Sequence, residues 1–459
     1  MTVRPRVSVI VTAYNLATYL PAALDSALAQ ESPGGPIQII VVNDGSTDNT
    51  QEVLSGYADH VEVIRQENGG LVKAVDTGLG AVRGEYIALL DADDEWPHDR
   101  LRRHAELLDA NPQVGLVHGD MEVIDAAGNT VHPSFFAWKQ DTPTNGRVLA
   151  RLVKDNFVSG GASTFRASLL PAIWPISPEA AYPDWWIASN IAAVAEILYD
   201  PANANRYRYH GANMGLGADR TAVLAIERRE LPYRRWAMRN LTSDETIDLR
   251  SLSEIVMRWR AAVGHSAISA GGSIRGVMAR DEVAAAAGQH AAVAHPAGLE
   301  RCRALARALS HDPLDGATSV DLDVAFLQAS ELNAPPAPVS QPLIALQTRP
   351  VLVLAWLDDL VRRPDLLHDF ARESVRRDDL TLAILAPDGA DLSALIALVE
   401  ADPALSDERC DLRVITEPAT WPARRLLAAR ATATLTAAGA PEGYAELPAH
   451  VVPAARLAA

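Results

Sequence analysis

Residues 84–97 read GEYIALLDADDEWP. An unbroken apolar run at 86–90 ends in a crowd of carboxylates, Asp91, Asp93 and Asp94. A run with no polar face reads as a strand buried on both sides, the kind found in parallel sheets. Working outward, the pattern repeats. Apolar runs at 7–12, 37–42 and 61–65 read as three further strands, with helical periodicity between them. Polar residues gather just past each run: Tyr14 and Asn15, then Asp44, then Asn68 and Gly69, then Asp91 and Asp93. In an open α/β sheet such positions share the edge where ligands bind. The sequence therefore predicts an α/β fold with a mainly parallel sheet and a site at the strand ends.

The rest of the chain bounds what that site can serve. Its 459 residues give room for roughly two to four domains. Hydrophobic residues make up 48% and charged residues 22%, enough for packed cores rather than a disordered tail. The net charge of −17 repels a phosphate backbone, which argues against general nucleic-acid binding. A local basic patch can still serve one small anion. The two cysteines, Cys302 and Cys410, exclude a disulfide scaffold and a cysteine-based zinc site, and they fit a reducing compartment. No signal peptide is read in residues 1–12, and no apolar stretch approaches about 18 residues. The expected location is cytoplasmic, with no membrane span.

Downstream, 114–118 and 121–124 read as strands, the Gly/Ser-rich FVSGGASTF at 157–165 as a loop, and 182–199 as a helix opened by Pro183. From 218 to 333 strand signals vanish and the periodicity is helical. The segment 334–344, which contains APPAPVSQP, reads as a Pro-rich linker. Beyond it, strand-like runs at 351–357, 380–387 and 410–418 alternate with helical stretches in a Rossmann-like rhythm. The expected organisation is an α/β domain at 1–217, a mainly helical extension at 218–333, the linker, and a smaller α/β accessory domain at 345–459.

Carboxylates crowded at a strand end repel one another, so a cation belongs among them, and oxygen ligands suit Mg²⁺ or Mn²⁺. An acidic helix-capping turn is the alternative for the same residues. VVNDGSTDNT at 41–50 places Asp44 just past the second strand. Gly45 allows a tight turn there, and residues 46–48 can cap the next helix. Asp44 is either part of that turn or a carboxylate accepting hydrogen bonds from a base or ribose.

Taken with VSVIVTAYN (7–15) and ENGGLVKAVDTGLGAVRGEYIALLDADD (67–94), these motifs resemble the family 2 glycosyltransferases, inverting nucleotide-sugar enzymes with the GT-A fold. The likeness is close over about 5–125 and looser to about 215. It implies that Ala13, Tyr14 and Asn15 wrap the nucleoside, that Asp44 reads the uracil or ribose, and that Asn68 and Gly69 pass the base. It implies that Asp91 and Ala92 lie near the ribose and donor sugar and that Asp93 binds the metal. YPDWWIASNIA (182–192) is similar to the acidic segment before the family's aromatic helix, which makes Asp184 the general base. A first-turn helix carboxylate is the alternative, and Trp185 and Trp186 are either a sugar platform or core. YRYHGANMG (207–215) resembles the family's Tyr-Arg-x-His-x-x-Asn segment, which offers His210 to the metal or diphosphate. One position departs from the pattern. Many members carry Arg-Asn where this chain has Val75 and Asp76. Lys73 is the substitute cation or a surface lysine, and helical geometry turns it about 200° from position 75.

The resemblance implies an inverting, metal-dependent, non-processive transfer from a nucleotide diphosphate sugar, a UDP-sugar by preference, to a hydroxyl of a glycan, lipid or protein. The Gln-x-x-Arg-Trp segment of processive members is not found downstream of Asp184. Arg228, Arg229, Arg234, Arg235 and Arg239 read either as a solvated helical face or as a contact with an acceptor or anionic lipid. Peripheral membrane contact and self-association stay open. PEGYAEL (441–447) faintly resembles a donor-side segment of GT-B glycosyltransferases, but half of such a pair lacks the cleft, so 345–459 is expected to be non-catalytic. The competing reading is a nucleotide-binding scaffold with a degenerate GT-A domain. A nucleotidyltransferase ranks lower, because its Gly-rich N-terminal loop followed by a basic residue is missing.

Overall fold

The computed structural model describes residues 4–210, 220–269, 296–311, 348–374, 379–387, 390–402, 405, 410–416, 418, 420–431 and 433–435. The chain divides into two units, Met1–Ile344 and Ala345–Ala459, each with its own sheet.

The first unit opens with β1 (Val7–Ala13), α1 (Leu20–Leu28), β2 (Ile37–Asn43), α2 (Thr50–Ser55), β3 (Glu62–Arg65), α3 (Leu71–Leu79) and β4 (Tyr86–Asp91). These strands fall within one residue of the apolar runs read from the sequence. Then come α4 (Arg100–Ala110), β5 (Val114–Ile124), β6 (Thr130–His132), α5 (Phe135–Lys139), α6 (Leu149–Lys154), β7 (Ser163–Arg166), α7 (Leu170–Ile173), α8 (Pro183–Ala192) and β8 (Glu196–Arg208). They build an eight-stranded sheet in the order β3-β2-β1-β4-β7-β5-β6, with β8 paired to β5. β1 runs parallel to β2 and β4, whereas β7 is antiparallel to both β4 and β5. The sheet is therefore mixed and mainly parallel on its N-terminal side.

Apolar burial sets the register. Val7, Val9 and Val11 face a core shared with Tyr86, Ala88 and Leu90. Leu20, Ala23, Leu24 and Ala27 of α1, spaced as one helical stripe, cover that face. Ser8, the polar interruption of β1, is buried but satisfied: its hydroxyl donates to Gln38 Oε1 at 2.6 Å and accepts the Gly84 N–H at 2.8 Å. The resulting pairing sets Ala13 opposite Asn43 and Thr12 opposite Asp91.

Three sequence expectations are corrected, the first being the loop at 157–165, whose last three residues enter β7. The runs 114–118 and 121–124 are one strand, β5, and the break between them is an irregularity at Gly119 and Asp120 where pairing with β8 shifts register. The helix expected over 182–199 ends at Ala192. Residues 196–199 start β8, because the partner strand β5 offers them a parallel ladder from Val114 onward. The described part of 218–333 is helical: α9 (Arg220–Asn240), α10 (Leu249–Ser269) and α11 (Pro296–His311). Tyr233 of α9 donates to Ser189 Oγ of α8 at 2.6 Å, which ties α9 to α8 within the first unit. The linker at 334–344 and the segment 441–447 lie outside the described residues.

The second unit has β9 (Val351–Trp356), α12 (Leu357–Arg362), α13 (Pro364–Ser374), β10 (Leu380–Ala386), α14 (Ser393–Ala401), β11 (Asp411–Thr416), α15 (Trp421–Arg430) and β12 (Ala433–Leu435). Its four strands are parallel in the order β11-β10-β9-β12. The three-residue β12 was not foreseen, since so short a run carries no periodicity. Among the described residues no helix is long and apolar enough to cross a membrane.

His118 on β5 is fully buried among Phe136, Phe157 and Tyr199, and neither ring nitrogen has a hydrogen-bond partner among the described residues. Burial pushes its pKa down to about 3, so the native imidazole is neutral. The unfolded chain takes up that proton near pH 6.5, so this stability is present above that value and drains away as pH falls toward about 3. Between pH 7 and pH 5, urea unfolding should show the wild type losing about 2 kcal/mol more than His118→Leu. Equal losses in the two proteins would acquit His118.

Candidate functional site

β2 and β3 lie on one side of β1 and β4 on the other, so chain order reverses between β1 and β4 and a crevice opens past their ends. A cavity of about 640 Å³ lies there. Its walls come from residues 13–16 after β1, Asp44 after β2, Asn68 and the start of α3, residues 91–93 after β4, Ser159 and Gly160, residues 182–184 at the start of α8, and Tyr207 and His210 at the end of β8.

The loops after β1 and β2 are stitched together. Asn15 has a left-handed backbone (φ 54°), and its Oδ1 accepts the Thr47 N–H at 2.8 Å. Its own N–H donates to Ser46 Oγ at 3.1 Å, and the Ala17 N–H donates to Asp48 Oδ2 at 3.0 Å. Asp48 Oδ1 also accepts the Thr50 N–H at 3.0 Å at the start of α2. Tyr14 lines the cavity and is 45% exposed. Asp44 is buried and accepts from Gln66 Nε2 at 2.7 Å, the Gly69 N–H at 2.9 Å and the Gly70 N–H at 2.8 Å. It thus fixes the loop that carries Asn68 along the wall. Gly69 helps hold Asp44 and is not itself on the cavity wall.

On α3, Val75 lines the cavity and Lys73 does not. The Lys73 ammonium lies 3.1 Å from Asp76 Oδ2, with 60% of the side chain exposed. Asp76 is occupied in turn by the Ile176 N–H, which donates to its Oδ1 at 2.9 Å. Neither lysine nor arginine is present among the residues lining the cavity.

The carboxylates concentrate on the remaining wall. Asp91 and Asp184 both line the cavity, and Asp91 is pushed up to about 7 by burial and then by the charges of Asp93 and Asp184. Asp184 is pushed up to about 6 by burial, against the opposing pull of the Trp185 and Gly160 N–H groups. Asp93 Oδ2 is 3.0 Å from His210 Nε2. Asp94 turns away from the cavity; its Oδ2 accepts Asn205 Nδ2 at 2.6 Å and its Oδ1 the Arg208 N–H at 2.8 Å. Gly161 makes room for this arrangement, since a Cβ there would lie 2.9 Å from Asn205 Nδ2.

This wall suits a divalent cation. Burial first, and then the charges of Asp93 and Asp184, hold Asp91 away from its ordinary ionisation, and a cation among these carboxylates would offset the repulsive part. Asp93 and His210 present an oxygen and a nitrogen side by side. Among the described residues no group of three or more His, Cys, Asp or Glu is placed to hold a metal ion. A two-residue set leaves coordination positions for phosphate oxygens and water.

Trp185 and Trp186 resolve to core rather than platform: they are 1% and 0% exposed and pack on Tyr233 and Trp236. Of the arginines on α9, Arg234 pairs with Glu230 and Arg239 with Glu179. Tyr182 and Tyr207 line the cavity and were not singled out from sequence. Tyr207 is the first residue of the Tyr-Arg-x-His segment, and the signal for Tyr182 was its place beside Asp184.

A model of the family described as Glycosyl transferase family 2 matches residues 8–174. An uncharacterized glycosyltransferase of Nostoc sp. is 31% identical over 224 residues, which is 46% of this chain and 67% of the relative. An uncharacterized glycosyltransferase of Rickettsia felis is 36% identical over 130 residues, 28% of this chain and 21% of the relative. Among solved structures, S. aureus TarS 1–349 in complex with UDP has a TM-score of 0.41 at 18% identity, over 71% of this chain and 90% of that chain. Mannosyltransferase PcManGT from Pyrobaculum calidifontis, in complex with GDP-Man and Mn²⁺, has a TM-score of 0.40 at 20% identity, over 71% of this chain and 88% of that chain.

Gly45 tests how tightly the loops are stitched. It has φ +74°, and a Cβ there would lie 2.8 Å from the Asn68 backbone nitrogen. Gly45→Ala should cost about 1–3 kcal/mol in urea unfolding, from backbone strain plus displacement of the Asn68 loop. An unchanged midpoint would show that the loop gives way freely.

Proposed function

The chain belongs to the family 2 glycosyltransferases, and from that premise we propose that this cavity transfers a hexose, with inversion, from a nucleotide diphosphate sugar to the hydroxyl of a glycan, lipid or protein. A UDP-sugar is the favoured donor. The observation that carries the proposal is the meeting of Asp91, Asp93 and Asp184 with residues 13–15 and Asp44 on the walls of one cavity.

The roles follow from chemistry. Residues 13–15, Asp44 and Asn68 receive the nucleoside, with Tyr14 offering a ring to the base. Asp91 faces the ribose and donor sugar. Asp93 and His210 would hold Mn²⁺ or Mg²⁺, which supplies positive charge against the diphosphate as it leaves. Asp184 accepts the proton of the attacking acceptor hydroxyl. Its pKa of about 6 leaves it ionised at neutral pH and more basic than an ordinary aspartate, as a general base requires. A single base serving the incoming hydroxyl, with no nucleophile assigned, supports direct displacement with inversion at the anomeric carbon. Tyr182 and Tyr207 help enclose the reacting centre, and Lys73, tied to Asp76, takes no part.

One observation favours a second reading. Val75 puts an apolar wall where many members carry arginine, as a nucleotide-binding scaffold without turnover would tolerate. Turnover separates the two readings.

Asp184→Asn should lower kcat by at least about 100-fold. It should keep the thermal stabilisation given by UDP with Mn²⁺, whereas Asp93→Ala should lose that stabilisation. The sign of the pH effect is set by the base: protonation removes it, so kcat should fall on the acid side of about pH 6. Full turnover in Asp184→Asn, or a rate flat through that range, would discard Asp184 as the base. Nucleotide binding with no transfer to any glycan, lipid or protein hydroxyl would favour the scaffold.

A further inference from the structure

Arg208, the last residue of β8, has a side chain only 4% exposed. Its guanidinium is committed to the loop that follows β4. Nε donates to the Asp93 carbonyl oxygen at 2.7 Å, Nη2 pairs with the Glu95 carboxylate, and Nη1 donates to the Asp125 carbonyl oxygen at 3.1 Å. Its own N–H holds Asp94 Oδ1 at 2.8 Å. Tyr19, just before α1, touches two of the residues around this loop. The Arg208 guanidinium carbon lies over the Tyr19 ring, 5.0 Å from the centroid. The His210 ring stacks on Tyr19 with centroids 5.2 Å apart and planes 21° apart. His210 Nε2 then meets Asp93 Oδ2 at 3.0 Å. Tyr19 itself does not line the cavity.

We propose that Arg208 and Tyr19 are positioning residues for the Asp93–His210 pair: Arg208 fixes the Asp93 backbone, and Tyr19, steadied on Arg208, fixes the His210 ring. This rests on the reading of Asp93 and His210 as metal ligands. A site with two protein donors is especially dependent on their orientation, because no third ligand corrects a wandering ring. Residues behind metal ligands commonly contribute 10- to 100-fold to metal affinity. Tyr19 needs only its ring for this task, so its hydroxyl is dispensable. Arg208 needs its planar fork, which lysine does not reproduce.

The test is a double-mutant cycle on the full chain, with Mn²⁺ affinity read by electron paramagnetic resonance at saturating UDP. Tyr19→Leu should weaken Mn²⁺ binding about tenfold, and Tyr19→Phe should restore it. In a His210→Ala background, Tyr19→Leu should add no further loss, because the ring it positions is gone. A merely structural Tyr19 would instead give the same loss in both backgrounds, which would overturn the positioning role and leave the metal reading intact. If His210→Ala itself binds Mn²⁺ as tightly as the wild type, the ligand assignment fails and takes this proposal with it. Should Tyr19→Leu not fold, Arg208→Lys takes its place in the cycle against Asp93→Ala, with the same expected loss and the same overturning result.

Discussion

Parallel pairing of β1 with β2 on one side and β4 on the other is the constraint on which the rest depends. Because side chains alternate, a slip of one residue would put Ser8, Ile10 and Thr12 on the face that Val7, Val9 and Val11 now fill. Each fully buried valine is worth about 1.5–3 kcal/mol, so the register is held by apolar area well away from any chemistry. Once it is held, Ala13 has to lie beside Asn43, and Thr12 beside Asp91. The cavity exists because the loops after β1, β2, β3 and β4 leave the same edge of the sheet.

The same edge collects charge that a folded protein would otherwise avoid. Asp91 and Asp184 are desolvated, and Asp91 feels two neighbouring carboxylates. Asp94 beside them is also buried, but there the surroundings answer with Asn205 and the backbone of Arg208. Burial and neighbouring charge push both Asp91 and Asp94 up, whereas Asp44, also on the cavity wall, is furnished with three donors. Such local imbalance, sustained by a rigid surround, is typical of sites that bind or react.

Much of this could be read from the residues. The four apolar runs became strands almost at their expected limits, because mainly apolar segments of this length have few other fates. Asp44, Asn68, Asp91, Asp93 and His210 meet at one cavity because polar residues past parallel strands share an edge, and Asp184 joins them from the start of α8. What could not be read came from long-range pairing. Residues 196–199 carry a helical pattern and still form a strand, since β5 supplies a partner. Gly119 and Asp120 separate two expected strands and are instead an irregular step within β5. Trp185 and Trp186 looked equally fit for a sugar platform until α9 covered them with Tyr233 and Trp236. The position of Lys73 was legible, because a helix turns it away from residue 75; its partner Asp76 was not.

The wall formed by Val75 has a consequence of its own. A guanidinium there would offer a pyrophosphate a positive charge of its own. If the proposed diphosphate donor and a divalent ion bind beside this aliphatic carbon and the nearby acidic groups, they become mutual escorts, each raising the other's affinity by an identical factor. If Asp93 and His210 grip that ion, donor occupancy tracks the product of two concentrations, and mineral supply becomes a throttle on the protein's saturation.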